Sequence, residues 1–240
     1  MLQLPLHNIL FLDIETVSQQ PDYNHLPEEW KFLWKKKADV LLRNKEEESP
    51  ESIYGRAGIY AEFGKIICIS CGVLQGEGAE RKIIMKSFYG DDEKKLLLDF
   101  ADMVNKWTPG PAKYLCAHNG KEFDFPFLSR RMIVNSVAIP ALLQLAGRKP
   151  WEVNHLDTME LWKFGDFKSY TSLNLLAHTL GVPTPKDDID GSMVGDTYWK
   201  EKDLARIVVY CQKDVITVAQ VLLRMQGEPL IKNENIELKN

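Results

Sequence analysis

Residues 8–15 of this chain read Asn-Ile-Leu-Phe-Leu-Asp-Ile-Glu, and they predict the strand on which the fold is built. The apolar run from Asn8 to Leu12 is typical of a buried β-strand, and two carboxylates follow it. Because residues two apart on a strand point to the same side, Asp13 and Glu15 can reach one site. Two charges beside an apolar strand are costly unless a partner such as a metal ion offsets them. The pair alone is also compatible with a helix N-terminus or a strand end at the surface.

The rest of the sequence predicts an α/β protein with a mixed central sheet flanked by helices. Further strands are predicted at 65–74, 81–89 and 114–117, with a possible strand at 155–161, and helices at 27–43, 91–107, 123–134, 171–180 and 201–225. We expect a single domain across residues 1–240, with a helical insertion around residues 20–55 and a frayed polar tail after about residue 227.

A second motif lies in the middle of the chain, where residues 119–124 read Asn-Gly-Lys-Glu-Phe-Asp. It joins the end of one predicted strand to the start of a predicted helix. Asp124 falls in the first helical turn, where the helix dipole stabilises a negative charge. Taken by itself, the motif is better explained by a helix that Asn119 caps and whose first turn is acidic.

A third motif lies on the long helix predicted near the end of the chain. Tyr210 and Asp214 are four residues apart, so they share one face of that helix. Carboxylates at a strand end and on a helix face can converge on a hard cation, which prefers oxygen ligands. The alternative is a core tyrosine that lies near a surface aspartate.

Composition and charge limit the classes of protein to which the chain can belong. Its longest apolar runs fall short of the roughly 18 residues of a membrane span, so we expect a soluble, cytoplasmic protein with no membrane partner. The formal net charge of −4 argues against extensive duplex binding, but not against a site that grips one strand end. Cys68 and Cys71 lack a second cysteine pair or nearby histidines, so core packing is favoured over metal or redox chemistry.

Together the three motifs resemble those of the DEDD exonuclease superfamily, whose proofreading domains have a ribonuclease H-like fold. The matching strings are Asp-x-Glu at 13–15, Asn-x-x-x-Phe-Asp at 119–124 and Tyr-x-x-x-Asp at 210–214. Residue 209 is valine rather than histidine, so the resemblance is to the tyrosine branch. The chain looks most similar to the stand-alone, predicted-exonuclease branch related to the proofreading domain of family B DNA polymerases. Further strings that add to the resemblance are those at 172–177, 180–181 and 188–192.

This resemblance implies a 3′–5′ exonuclease that uses two divalent metal ions, Mg²⁺ or Mn²⁺. It implies that Asp13, Glu15 and Asp214 hold the first ion, and that Asp13 and Asp124 hold the second. It also implies that Tyr210 orients the attacking water, because an ordinary tyrosine pKa of about 10 makes it a poor base at neutral pH. The expected products are nucleoside 5′-monophosphates, released from single-stranded or frayed DNA 3′ ends.

Residues that flank the carboxylates are candidates for holding the substrate. Thr16, Asn119 and Phe123 are expected to touch the terminal nucleotide, although a core role for Phe123 is equally compatible with the sequence. Arg130 and Arg131 are expected on a solvated helix face rather than on phosphates.

Three alternatives stay open at this point. The four-carboxylate motif set is equally compatible with an exoribonuclease that trims RNA. A non-catalytic nucleic-acid-binding module is a second alternative, and the complete set of carboxylates with Tyr210 argues against it. The third is a proofreading or repair subunit that works with a partner, in which case we expect any polymerase to be a separate chain. Asp157 is expected to be structural, since the motifs already supply four carboxylates.

Overall fold

A central sheet of six strands organises the chain in a computed structural model, which describes residues 4–43, 47–166, 168–184 and 189–239. The strands are β1 (Ile9–Ser18), β2 (Gly64–Gln75), β3 (Lys82–Tyr89), β4 (Tyr114–Ala117), β5 (Leu156–Asp157) and β6 (Ile236–Lys239). Their order across the sheet is β5-β4-β1-β2-β3-β6. Parallel and antiparallel pairs both occur, so the predicted mixed sheet is confirmed.

The strand with the first two carboxylates lies inside the sheet. β1 pairs antiparallel with β2 on one side and parallel with β4 on the other. The pairing of β1 with β2 shifts between Glu15 and Thr16, because Glu15 pairs with Cys68 and Thr16 with Ile66. Ile67 is therefore an extra residue, a β-bulge beside Glu15. Such bulges bend a strand locally and re-aim its side chains.

Seven helices are formed by the described residues. They are α1 (Glu28–Leu41), α2 (Glu93–Trp107), α3 (Asp124–Val134), α4 (Thr158–Lys163), α5 (Leu173–Thr179), α6 (Val194–Asp196) and α7 (Leu204–Met225), with a π-helical turn at Thr197–Glu201 between the last two. The predicted helices are confirmed with small changes at their ends. Within the described ranges, no helix is long and apolar enough to cross a membrane.

The alternation of β1 divides the core into two layers. Leu10, Leu12 and Ile14 join the core that α2 and α3 cover, whereas Ile9 and Phe11 join the core that α7 covers. Because the side chains of a strand alternate, Asp13 and Glu15 continue the row of Ile9 and Phe11 and face α7. The packing of the long helix on the sheet therefore sets the distance between the first and third motifs.

The segment that connects β1 to β2 forms a smaller hydrophobic core of its own. Trp34 of α1 is fully buried, and its indole N–H donates to the carbonyl of Pro50 over 2.7 Å. Its ring contacts Tyr54 and Phe63 edge-on, with ring centroids 5.4 and 5.2 Å away. A buried tryptophan with a satisfied N–H stabilises such a satellite core. That this segment is an insertion into a single exonuclease domain stays a prediction.

The prediction of a frayed tail after residue 227 was wrong. β6 pairs in parallel with β3 at the edge of the sheet. The amide side chain of Gln220 on α7 donates to the carbonyl of Ile231 and accepts from its N–H, both over 2.8 Å. The tail is polar because an edge strand leaves most of its side chains in water. Its pairing partner lies about 150 residues earlier, so the local sequence carries no pattern that predicts a strand.

The possible strand at 155–161 is also corrected. Only Leu156 and Asp157 are extended, and α4 begins at Thr158. The Asp157 carboxylate accepts hydrogen bonds from the N–H groups of Met159 and Glu160 and so caps this helix. Capping of this kind ends a strand in favour of a helix, whatever the apolar pattern that follows.

Candidate active site

The first two carboxylates meet a thiol where β1 faces α7. Ligand atoms of Asp13, Glu15 and Cys211 all lie within 4.8 Å of one another. The Cys211 thiol donates to the backbone carbonyl of Asp13 over 3.4 Å and to its Oδ2 over 3.3 Å. The long helix therefore contacts the Asp13 carboxylate directly, next to Tyr210. Cys211 is not among the predicted site residues, although its spacing of three residues from Asp214 places both on one helix face.

Asp124 is brought to the same strand by a backbone hydrogen bond. Its Oδ1 accepts from the N–H of Ile14 over 3.2 Å, so the first residue of α3 reaches the segment between Asp13 and Glu15. Burial raises the pKa of the Asp124 carboxyl to about 7, and the charges of Asp157 and Asp214 also raise it. Hydrogen bonds from the Ile14 N–H and from its own N–H act in the opposite direction.

The side chains of Tyr210 and Asp214 meet on the face of α7 that looks towards β1. The Tyr210 hydroxyl hydrogen-bonds to the Asp214 carboxylate. Burial raises the pKa of Tyr210 well above its usual range, and the charges of Asp214, Glu15 and Asp13 raise it further. The hydroxyl therefore stays protonated at neutral pH.

The electrostatics of the cluster fit a bound cation. Burial raises the pKa of both Asp13 and Glu15, and repulsion from their carboxylate neighbours adds to it. Among the described residues, no lysine or arginine lowers either pKa. Glu15 is only 8% exposed, and its carboxylate receives no hydrogen bond from the described part of the chain. A buried carboxylate without a donor is costly, and a hard divalent cation would remove that cost.

These raised pKa values predict how stability depends on pH and on metal. A carboxyl whose folded-state pKa is raised contributes stability that is lost as the pH rises through that pKa. For Asp124 the loss runs from its ordinary value of 3.8 to about 7. We expect Mn²⁺ to raise the melting temperature more near pH 7.5 than near pH 5, because protons compete with the metal for these carboxylates at the lower pH.

Thermal unfolding followed by circular dichroism at both pH values, with EDTA or Mn²⁺, measures this effect. Asp13→Asn is the matched control, because it removes one of the repelling charges and should shrink the response to Mn²⁺. An equal response to Mn²⁺ at both pH values would argue against a cation site at these carboxylates.

Asn119 begins a tight loop that Asp157 organises. Asp157 accepts from the N–H of Asn119 over 2.9 Å and from the N–H of Lys121 over 3.1 Å. Asn119 itself has a left-handed backbone, with φ 63°, so it does not cap α3. Its Oδ1 is buried without a hydrogen-bond partner in the described structure, which marks it as an acceptor for an absent donor. The expected structural role of Asp157 agrees with these contacts.

The other predicted substrate residues lie at different depths. Phe123 precedes α3, is partly buried, and stacks at a tilt on Phe127 with 5.3 Å between ring centroids. By the alternation of the strand, Thr16 shares the face of Ile14 rather than that of Glu15. Contacts of Thr16, Asn119 and Phe123 with a nucleotide stay predictions.

The prediction for Arg131 was wrong, because this side chain is buried rather than solvated. Its guanidinium donates to Glu93 through Nε and Nη2, over 2.9 and 2.6 Å, and to the carbonyl of Ala61 over 2.8 Å. Arg130 is exposed, as expected. Arg131 therefore ties α3 to α2 instead of binding phosphate.

His118, which the sequence analysis did not single out, fixes the rim of the site. One ring nitrogen lies 2.9 Å from the Thr158 hydroxyl, and the other lies 2.8 Å from the carbonyl of Thr171. Burial lowers its pKa, so the ring is neutral at physiological pH. It joins the end of β4 to α4 and to the segment before α5.

Comparison with known proteins places this chain in a family. A family model described as a predicted 3′–5′ exonuclease related to the exonuclease domain of PolB matches residues 59–232. The match covers well over half of the chain. The chain belongs to this family. A comparison with curated protein sequences found no match.

The part matched to the PolB-related exonuclease family contains Asp124, Tyr210 and Asp214 but begins after the first motif. The geometry of β1 is therefore the observation that joins Asp13 and Glu15 to the other motifs. Residue 188, in one of the further strings that resemble the family, lies outside the described residues.

A solved structure supports the fold of this PolB-related family member. The family B DNA polymerase from the hyperthermophilic archaeon Pyrobaculum calidifontis matches with a TM-score of 0.50 and 17% sequence identity. The match covers 91% of this chain and 25% of the polymerase chain. Together with the mixed six-stranded sheet, this likeness confirms the predicted ribonuclease H-like fold.

Proposed function

We propose that this chain is a metal-dependent 3′–5′ exonuclease that releases nucleoside 5′-monophosphates from single-stranded or frayed DNA 3′ ends. The observation that carries the proposal is the meeting of Asp13 and Glu15 with Cys211 of α7, together with the hydrogen bond that holds Asp124 against β1. Asp13 and Glu15 of β1 repel Asp124 of α3 and Asp214 of α7. Membership of a predicted exonuclease family supports the same reaction.

The ligand set suits two divalent ions, Mg²⁺ or Mn²⁺. We assign Asp13, Glu15 and Asp214 to one ion, and Asp13 with Asp124 to the other. When bound, the ions would neutralise the charge that develops on the reacting phosphate. The thiol of Cys211 holds the Asp13 carboxylate from the side of α7, so the shared ligand has a fixed orientation.

Tyr210 has a positioning role in this proposal. Its hydroxyl keeps its proton at neutral pH, so it does not act as the base. With that hydrogen engaged by Asp214, the hydroxyl oxygen still has lone pairs that accept a hydrogen bond from water. Tyr210 would therefore hold a water against the phosphorus, in line with the leaving 3′ oxygen.

Removal of this hydroxyl gives a specific prediction. We expect Tyr210→Phe to lower single-turnover rates about 10²-fold, because the ring still packs but the water is no longer oriented. Mn²⁺ affinity, measured by calorimetry, should change little. Tyr89→Phe, on the exposed face of β3, is the matched control and should leave both quantities unchanged. Weakened Mn²⁺ binding with normal turnover would instead mean that Tyr210 only supports Asp214.

The experiment that tests the function uses single strands of DNA and RNA, each labelled at the 3′ or the 5′ end. Purified protein is incubated with Mg²⁺, Mn²⁺ or EDTA. We expect stepwise shortening of DNA from the 3′ end, and none in EDTA. Activity that survives EDTA would refute the metal mechanism. Cleavage of RNA alone would favour the exoribonuclease, and binding without cleavage of either strand would favour the non-catalytic module.

The preference for frayed ends is tested separately. A chain with a net charge of −4 lacks the broad basic surface typical of duplex binding. A recessed site also admits one strand more easily than two. We therefore expect initial rates to fall from single strand to 3′-mismatched duplex to matched duplex, compared at one salt concentration because phosphate contacts depend on salt. Equal rates on all three would contradict the frayed-end preference while leaving the chemistry intact.

A further inference from the structure

Near the end of β1, beyond Glu15, lies a pocket that the proposed reaction does not use. This cavity has a volume of about 380 Å³, and its lining residues are Lys65, Asp91, Tyr198, Trp199, Lys202 and Leu204. We propose that it binds a backbone phosphate of the single strand, upstream of the bond that is cut. The inference rests on the proposed function for its substrate class.

The pocket lies on the same face of the sheet as the carboxylates. Val17 follows Glu15 by two residues, so the two share a face, and Val17 pairs directly with Lys65 on β2. The indole N–H of Trp199 donates to the carbonyl of Ser18 at the end of β1, over 3.2 Å. A strand that enters the carboxylate site from this end of β1 passes the pocket.

The long helix gives the separation of the two sites. Leu204 lines the pocket and begins α7, and Tyr210 follows six residues later. Six helical residues span about 9 Å along the axis. Tyr210 also packs against the same apolar cluster as Tyr198 and Trp199. The pocket is therefore too far from Tyr210 to share the scissile phosphate, but close enough to hold a neighbouring nucleotide of the same strand.

The charges in the pocket favour an anion. Lys65 is half-buried, and its ammonium donates one hydrogen bond within the described structure, to the Tyr198 hydroxyl over 2.9 Å. An ammonium carries three N–H donors, so donors remain for a ligand. The Asp91 carboxylate accepts from the Tyr198 hydroxyl over 2.6 Å and is the one acidic residue of the lining. Burial lowers the pKa of Lys65, the charges of Asp91 and Glu93 raise it, and the charge of Lys202 lowers it.

Two aromatic rings hold both ammonium groups at the wall of the pocket. The Lys65 ammonium lies 4.8 Å from the ring centroid of Tyr198 and 4.9 Å from that of Trp199. The Lys202 ammonium lies 5.1 Å from the Trp199 ring, on a side chain for which no carboxylate partner is found in the described ranges. Cation–π contacts orient an ammonium without using up its N–H donors. The arrangement presents two cations to one small cavity.

The backbone around the pocket is unusual. Tyr198 and Trp199 lie in the π-helical turn, and Lys202 ends it in the left-handed region, with φ 59°. Both features are rare and concentrate at functional sites. Anchoring of this turn to β1 needs only the apolar contacts and the Trp199 hydrogen bond. The left-handed conformation that ends the turn places Lys202 in the lining of the pocket.

Binding of a fluorescently labelled oligothymidylate, measured by anisotropy in EDTA, tests the inference. EDTA separates binding from cleavage. We expect the double variant Lys65→Gln/Lys202→Gln to bind about fivefold or more weakly. The slope of log K against log salt concentration should become shallower by about 0.7, which is the contribution of one single-strand phosphate. Lys200→Gln is the matched control, because Lys200 lies on the same turn but is 73% exposed and pairs with Asp196 over 2.8 Å. It should bind like the wild type.

Further measurements identify the ligand and test whether the variants are folded. Lys202→Gln alone, at an exposed position, should weaken binding in part without changing the melting temperature. Thymidine 5′-monophosphate, which fits the terminal-nucleotide site, should bind wild type and double variant equally, whereas inorganic phosphate should compete less well with the oligonucleotide for the double variant. A double variant that binds the oligonucleotide normally would overturn the proposal, as would an equal loss of affinity for the monophosphate. If wild type binds the strand but never cleaves it, the same loss of affinity would support the pocket while refuting the nuclease.

Discussion

Replacing Asp13 by asparagine is expected to lower exonuclease turnover by about 10²-fold or more, the usual cost of losing a key electrostatic group. Asp13 is the carboxylate that we assign to both ions, and it is repelled by Glu15, Asp124 and Asp214. Asparagine keeps the size of the side chain and an oxygen that can accept from Cys211. Single-turnover rates on labelled single-stranded DNA measure the loss.

The same substitution should not unfold the chain. Because the folded site raises the pKa of Asp13, its charge destabilises the metal-free protein at neutral pH, and its removal should raise the melting temperature in EDTA. Asp102→Asn, at an exposed position on α2, is the matched control and should change neither quantity. A variant at Asp13 that retains more than about a tenth of wild-type turnover would exclude it as the shared ligand.

The site residues that could be predicted from sequence are those placed by local periodicity. Strand alternation puts Asp13 and Glu15 on one side, and helical spacing puts Tyr210 beside Asp214. The structure brings the carboxylate of Asp124 to the same place through a hydrogen bond to the backbone of β1. That contact joins residues 110 apart in sequence, so only the resemblance to a family indicated it.

Contacts between residues far apart in the chain could not be predicted from the sequence. Asp157 was interpreted as structural, but its hydrogen bonds to the loop of Asn119 could not be located, because they depend on the pairing of β4 with β5. Helical periodicity places Cys211 on the buried side of α7, but it gives no sign that the thiol touches Asp13. Periodicity predicts that a side chain is buried; it does not predict which polar atom lies beside it.

The tail shows the same limit at the level of the fold. Its composition is that of an exposed segment, and β6 is indeed largely exposed. What stabilises it is backbone pairing with β3 and the contact of Gln220 with Ile231, neither of which depends on an apolar pattern. Edge strands are therefore the elements that hydrophobic periodicity predicts least well.

The largest effect on stability is expected from Arg131→Met. This guanidinium and the Glu93 carboxylate are 5% and 8% exposed, and each has further partners. Glu93 also accepts from the N–H of Ile66 over 2.8 Å and from the Asn135 amide over 2.9 Å. Removal of one partner from a buried ion pair leaves the other charge uncompensated, so we expect unfolding free energy to fall by about 3–5 kcal/mol, measured by urea denaturation.

The neighbouring arginine gives a matched control for this network. Arg130→Met, on the exposed side of α3, should change stability by no more than about 0.5 kcal/mol. Below its melting temperature, Arg131→Met should keep the salt dependence of strand binding, because the buried Arg131 guanidinium is engaged by Glu93 and the Ala61 carbonyl. A weaker salt dependence of strand binding with unchanged stability would instead indicate that Arg131 binds phosphate. The predicted result instead makes the ion pair the anchor that holds α3 against α2, and so keeps Asp124, at the start of α3, beside β1.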